Sequence, residues 1–338
     1  MKRLRVLVLA HEDLVPPEDP GKADLEIVAW RSEFDVVTTL RKAGHEVRPL
    51  GVRSDLRVIR AAMDEWTPNV AFNLLEEFDG LAVYDQNVVA YLELLRLPYT
   101  GCNPRGLVLS RDKAVSKKIL AYHRVRSPEF AVIPIGRKVR RPRALAFPLI
   151  VKSVSEDASL GISQASVVGD EAKLRERVAF VHDSVGTDAI VEQYVEGREL
   201  YVGVLGNQRL TVFPVWEMRM DKLPPEARPI ATERVKWSRR YQKKHGIRWG
   251  PAHGLPAEVE GRLHALARRT YRILGLSGYA RIDFRVDAEG RAHVLEANPN
   301  PDIGVTEEFA QSAAKAGVGY GALLERILRL GLRRRQGA

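Results

Sequence analysis

Between Ala280 and Asn298 the sequence turns back on itself. Ala280, Ile282, Phe284 and Val286 alternate with Arg281, Asp283, Arg285 and Asp287. That is the two-residue period of a strand with one buried face. Ala288-Glu289-Gly290-Arg291 reads as a four-residue hairpin loop. Pairing Asp287 with Ala292 then sets Asp283 directly opposite Glu296. Asn298, two residues on, shares the face of Glu296. Carboxylates facing each other across a ladder repel. Two readings stay open at this point. One is an exposed hairpin with solvated charges. The other is a cation site, in which two carboxylates and an amide oxygen hold Mg²⁺ together with substrate phosphates.

At 338 residues the chain exceeds one small core, and two or three domains are expected. The residues are 45% hydrophobic and 28% charged, as in globular proteins. No apolar run approaches the roughly 18 residues of a membrane span. Arg5 to Ala10 is too short for a signal peptide and lacks a cleavage pattern. These features predict a cytoplasmic protein with no membrane partner. Cys102 is the single cysteine, which excludes an intrachain disulfide and a cysteine metal cluster. It is expected to be a small packed residue. The formal charge of +10 permits attraction to phosphates, nucleic acid or an acidic partner. The basic residues are dispersed, and no Gly-flanked aromatic run of an RNA-binding sheet is present, which argues against nucleic acid. A steep salt dependence of oligonucleotide binding would reverse that expectation.

The first hundred residues alternate strand and helix: a strand at 5–10, a helix at 32–43, an extended run at 46–50, a helix around Leu56 to Trp66, a strand at 69–74, and a helix around Val88 to Leu95. This predicts a parallel sheet with helices on both faces. Ser110 is expected to cap a helix reaching about Tyr122. Strands are expected at 129–135, 147–152, 189–195 and 199–205, with a helix near 170–183. Residues 219–255 read as one long polar loop of the kind used as a lid. A periodic helix is expected over 256–274, and a last one over 320–332.

The order of these pieces resembles the ATP-grasp superfamily, most closely the D-alanine–D-alanine ligases. The parts that carry the resemblance are Lys113 on its helix, Phe-Pro-Leu-Ile-Val-Lys152, Ile-Val-Glu192-Gln-Tyr-Val195-Glu-Gly-Arg-Glu199, Gly-Tyr-Ala-Arg281-Ile-Asp283-Phe and Leu-Glu296-Ala-Asn298. They imply an α/β ATP-grasp fold preceded by a parallel α/β domain. The expected boundaries are 1–109, a central lobe 110–198 and a C-terminal lobe 199–338 with a lid at about 219–255. Lys113 and Lys152 match nucleotide-phosphate lysines. Glu192, Tyr194 and Val195 match the hinge that faces adenine, and Glu199 matches a ribose-binding carboxylate. Ser159 and Gly161 fall in a loop matching the one that covers the phosphates through backbone N–H groups. Lys236 matches a lysine reaching the γ-phosphate. Arg281 matches an arginine that stabilises the oxyanion of the tetrahedral intermediate. Asp283, Glu296 and Asn298 match the ligands of Mg²⁺, which Mn²⁺ can replace.

The implied reaction joins a small-molecule carboxylate to an amine. A carboxylate attacks the γ-phosphate of ATP, and an amine displaces phosphate from the acylphosphate. A homodimer is implied only by the resemblance. The departures concern substrate. The stretch His11-Glu12-Asp13-Leu14 lacks the family's Gly-rich, Ser-containing pattern, although Glu12 or Asp13 could replace its glutamate. The family's loop serine falls on Ala158 and its lid tyrosine on Trp237. The serine that binds the acceptor's carboxylate falls near Glu307, where a carboxylate suits a cationic amine. The expectation is therefore a D-alanine–D-alanine ligase-like enzyme with a different acceptor. The alternatives are a genuine D-alanine–D-alanine ligase and a non-catalytic nucleotide-binding regulator.

Overall fold

The structure is a computed structural model that describes residues 2–25, 27–156 and 161–334. It opens with β1 (Arg5–His11), α1 (Arg31–Lys42), β2 (Glu46–Val52), α2 (Arg57–Trp66), β3 (Val70–Asn73) and α3 (Asp85–Leu94). The three strands form a parallel sheet in the order β2-β1-β3. Buried residues alternate along β1 between its two faces. Leu7 and Leu9 pack with Ile59 of α2 and with Val88 and Leu92 of α3. Val6 and Val8 pack with Val36, Val37 and Leu40 of α1. That second face is completed from the far end of the chain. There α11 (Tyr320–Leu332) supplies Leu323, Leu324, Ile327 and Leu328, after α10 (Glu308–Lys315) supplies Phe309 and Ala313.

The helix expected from Ser110 to about Tyr122 begins later, at Lys113, and a separate helix precedes it. α4 (Pro104–Arg111) stops at Asp112, and α5 (Lys113–Tyr122) begins there. Asp112 caps α5 by accepting from the N–H groups of Ala114 and Val115. Ser110 lies inside α4 and its hydroxyl donates to the Gly106 carbonyl, so it caps nothing.

A second sheet, ordered β4-β7-β5-β6, is built from β4 (Phe130–Ile133), β5 (Leu149–Ser153), β6 (Val167–Val168) and β7 (Ala189–Gln193). α6 (Glu171–Phe180), which continues as a π-turn over Val181–Val185, covers one face with Leu174 and Val178. The third sheet is antiparallel. It contains β8 (Arg198–Leu205), β9 (Thr211–Val212), β10 (Trp216–Met220), β11 (Ile247–Pro251), β12 (Tyr279–Val286) and β13 (Ala292–Pro299). The core residues Leu200, Val202, Ile282 and Phe284 pack with Leu263, Ala267 and Tyr271 of α9 (Ala257–Ile273). The polar alternates of β8 and β12 are left to face a cleft.

The stretch 219–255 is not a structureless loop. β10 and β11 pair across it, and it carries α7 (Glu233–Trp237) and α8 (Arg239–His245). Its helix starts carry their own caps, Thr232 and Ser238. The many basic residues obscured an apolar set, Trp216, Met218, Val235 and Ile247, that forms a small core of its own.

Candidate active site

Two strand faces and α5 bring the polar residues together. The floor is the β12–β13 hairpin. Val286 pairs with Ala292 and Phe284 with Val294, but Asp283 pairs with Glu296. Leu295 is therefore the extra residue of a β-bulge. In an unbroken ladder counted from the turn, Asp283 would meet Leu295, and Glu296 would meet the core residue Ile282. The turn is one residue shorter than expected, since Asp287 N–H donates to the Arg291 carbonyl at 3.1 Å and leaves only residues 288–290 in the loop. The bulge restores the expected opposition of Asp283 and Glu296.

Arg281 grips Asp283 through two parallel bonds of 2.8 and 2.9 Å. Its Nη1 lies 3.7 Å from Glu308 Oε2. The Asn298 amide donates to Asp283 at 2.9 Å and reaches Glu296 at 3.4 Å. Lys113 Nζ is 3.9 Å from Glu296 Oε2, and it donates to the Glu156 carbonyl at 2.6 Å. The two acids differ in character. Burial, opposed by Arg281 but aided by Glu296, pushes Asp283 up to about 6. Burial also acts on Glu296, but Lys113, Lys152 and Lys236 outweigh it and hold that carboxyl at about 2.

Among the described residues no group of three His, Cys, Asp or Glu side chains could hold a metal. A cation here would take Asp283, Glu296 and, after rotation of its amide, the oxygen of Asn298. This is a hard-oxygen set that leaves positions for phosphate oxygens and water, and it fits Mg²⁺.

The opposite wall is β5 and β7. Glu192 is fully buried between two ammonium groups, with Lys152 Nζ at 3.0 Å and Lys117 Nζ at 3.3 Å. Both lysines outweigh the effect of burial and hold the Glu192 carboxyl below its usual range. Ile150, Tyr194 and Ile230 form an apolar slot beside it, and Val195 lines the same cleft. Glu199 accepts from Arg285 at 2.8 Å and from the Tyr201 hydroxyl at 2.9 Å. Arg285 also donates to the carbonyls of Gly197 and Pro229. Gly197 (φ 143°) is required there, because a Cβ would strike the Val286 carbonyl. Lys236 also lines the cleft, carried on α7 rather than on a loop.

Lys113, Lys152, Glu192, Tyr194, Val195, Glu199, Lys236, Asp283 and Glu296 thus line one cleft. Arg281 and Asn298 join it through Asp283. Gly161 (φ 68°) stands apart: its carbonyl accepts from Arg177, and it packs near Val185 and Phe180. Ser159 and Ala158 lie outside the described residues. Glu12 and Asp13 are both held by Arg53, at 2.9 and 2.7 Å, and neither lines the cleft. Trp237 is 69% exposed.

Lys117 and Arg285 escaped the sequence reading. The signal for Lys117 was its spacing of four from Lys113 on one helix, which places both on one face. For Arg285 it was the period of two from Asp283.

The family described as "D-ala D-ala ligase C-terminus" matches residues 118–329. The D-alanine–D-alanine ligase of Desulforudis audaxviator is 32% identical over 309 residues, covering 90% of this chain and 93% of that protein. The chain belongs to the D-alanine–D-alanine ligase family. An uncharacterized protein, y4sG of Sinorhizobium fredii, is also 32% identical, over 308 residues covering 88% of this chain and 87% of its own. In fold, the chain is similar to the Bacillus anthracis D-alanine–D-alanine ligase solved with ATP, with a TM-score of 0.76 over 98% of both chains at 24% identity. The parallel sheet, the central sheet and the antiparallel sheet are thus those of an ATP-grasp enzyme of this ligase family. Its members use ATP and a divalent metal to form carbon–nitrogen bonds, releasing ADP. No helix among the described residues is long and apolar enough to cross a membrane.

Proposed function

We propose that the cleft joins a small carboxylate to an amine that differs from D-alanine, with the nucleotide between residues 110–198 and 199–338 and residues 219–255 closing as a lid. The supporting observation is the Asp283–Glu296–Asn298 face, ringed by Lys113, Lys152, Lys236 and Arg281. A bound Mg²⁺ would neutralise phosphate charge there. In this reading the lysines offset the charge of the transferring phosphoryl group. The donor carboxylate oxygen bonds to the γ-phosphorus as the bond to the ADP oxygen breaks. The amine nitrogen then bonds to the acyl carbon, and the acyl–oxygen bond to phosphate breaks. Of the two protons the ammonium loses, one leaves with phosphate and one goes to solvent. Arg281 would stabilise the oxyanion between those events. Cytoplasmic action fits the requirement for ATP.

The reading of the acceptor rests on Glu307. Burial, with Asp302 and Glu308 nearby, pushes this carboxyl up to about 8. A bound ammonium would draw this carboxyl into its charged form and be held by it, whereas an acceptor carboxylate would find no such gain. The second reading, a genuine D-alanine–D-alanine ligase, is favoured by the names of the relatives. ADP release against a panel of amines separates the two. Full turnover with D-alanine alone overturns the first reading.

A further inference from the structure

Arg281 borders a second group of acids that the metal face does not use. Loop 302–308, which follows β13, packs on the first turn of α1. Val305 N–H donates to Asp35 Oδ2 at 3.1 Å. Gly304 lies so close to Ser32 that a Cβ would strike the hydroxyl. This junction gathers Glu33 from α1, Asp302 and Glu307 from the loop, and Glu308 from the start of α10. Glu76, just past the carboxyl end of β3, adds to the same field. The carboxyl ends of parallel strands are where open α/β sheets take ligands.

The nearby cations are already committed. Arg31 is bound to Asp35 at 3.0 Å and to the Leu25 carbonyl at 2.7 Å. Arg281 is bound to Asp283. Glu33, Asp302 and Glu307 have no ion-pair partner among the described residues. Glu33 carries the more telling observation. It is only 6% exposed, and its Oε2 is buried without a hydrogen-bond partner. Burial first, then Asp302 and Glu76, push its carboxyl up to about 7. A buried carboxyl oxygen without a donor is costly. A bound cation would reverse that cost at Glu33, as at its neighbours.

We propose that Glu33, Asp302 and Glu307 form a subsite for a second, non-reacting positive group on the amine substrate, so that the acceptor is a diamine or a basic amino compound. The assignment rests on the cationic acceptor proposed above. Its test is calorimetric titration of the whole enzyme, with ADP and Mg²⁺ present, by α,ω-diamines of three to six carbons, by 1-aminobutane and by D-alanine. The best diamine should bind about tenfold tighter than 1-aminobutane, the effect of one added charged contact. Glu33→Gln and Asp302→Asn should each erase that preference while leaving ADP affinity within about twofold, a control that a folding defect would not pass. If the diamines and 1-aminobutane bind alike but better than D-alanine, the subsite is overturned and the cationic acceptor stands. If both variants keep the diamine preference, the subsite is overturned as well. If D-alanine binds best, or no amine binds, the acceptor reading falls and the subsite with it.

Discussion

Asp283 stands opposite Glu296 although the hairpin nearer the turn is paired one position out of step with them. The bulge at Leu295 makes the adjustment. It leaves a carboxyl raised to about 6 facing one held at about 2. Asp283→Asn and Glu296→Gln should each lower the rate of ADP formation by at least about 100-fold, as removal of one preorganised charge typically does. Circular dichroism should be unchanged. A variant with near-normal ADP release would exclude the hairpin from phosphate chemistry.

The Lys117–Glu192 pair gives a stability prediction. Both side chains are 1% exposed. Removing Lys117 leaves the buried Glu192 carboxylate with Lys152 alone and its other oxygen without a cation, at a cost of about 3 kcal/mol. Lys117→Met should therefore be strongly destabilised in urea. Adding Glu192→Gln should recover part of the loss, because no anion is then left behind. Strictly additive urea midpoints would show that the two groups do not interact.

Glu33 makes stability pH-dependent in a definite direction. Its carboxyl is raised from 4.5 to about 7. Between those values the folded chain holds the proton more tightly than the unfolded one, so stability is full below 4.5 and is lost as pH rises through 7. Glu33→Gln removes the penalty. The variant should gain on the order of 2 kcal/mol over the parent between pH 5 and pH 8. Thermal melts at the two pH values measure it, and a constant difference would mean that Glu33 does not titrate in this range.

Cys102 is fully buried, and burial pushes its thiol up to about 11. It also sits where a side chain on Gly106 would collide with its sulfur. Iodoacetamide should leave the folded protein unlabelled at pH 7.5 and add one group per chain in urea, as read by mass. Rapid labelling without urea would place the thiol at the surface.

Much of the fold was legible because its signals are local. Strand β1, helix α11 and the polar alternation of β12 follow from periodicity alone. The Asp283–Glu296 pairing was also anticipated, but it arises through two compensating departures, a shorter turn and a bulge at Leu295. Bulges depend on neighbouring strands and leave no compositional mark. The same holds for β10 and β11. Their partners lie far apart in sequence, and their basic residues hide the apolar ones. Individual site residues could be seen as motifs. The clamp of Glu192 by Lys117, and the gathering of Glu33 with Asp302, needed the chain folded, since each joins distant segments.

The covering of β1 by α11 has a consequence for biosynthesis. A ribosome releases the strand bearing Val6 and Val8 long before residues 320–332 exist. Until then α1 covers only part of that apolar flank of the first sheet and leaves the rest open, and that nascent intermediate is the species chaperones and proteases would meet. Translation that halts anywhere before α11 yields a chain that cannot finish covering this flank, whatever its nucleotide cleft has already achieved.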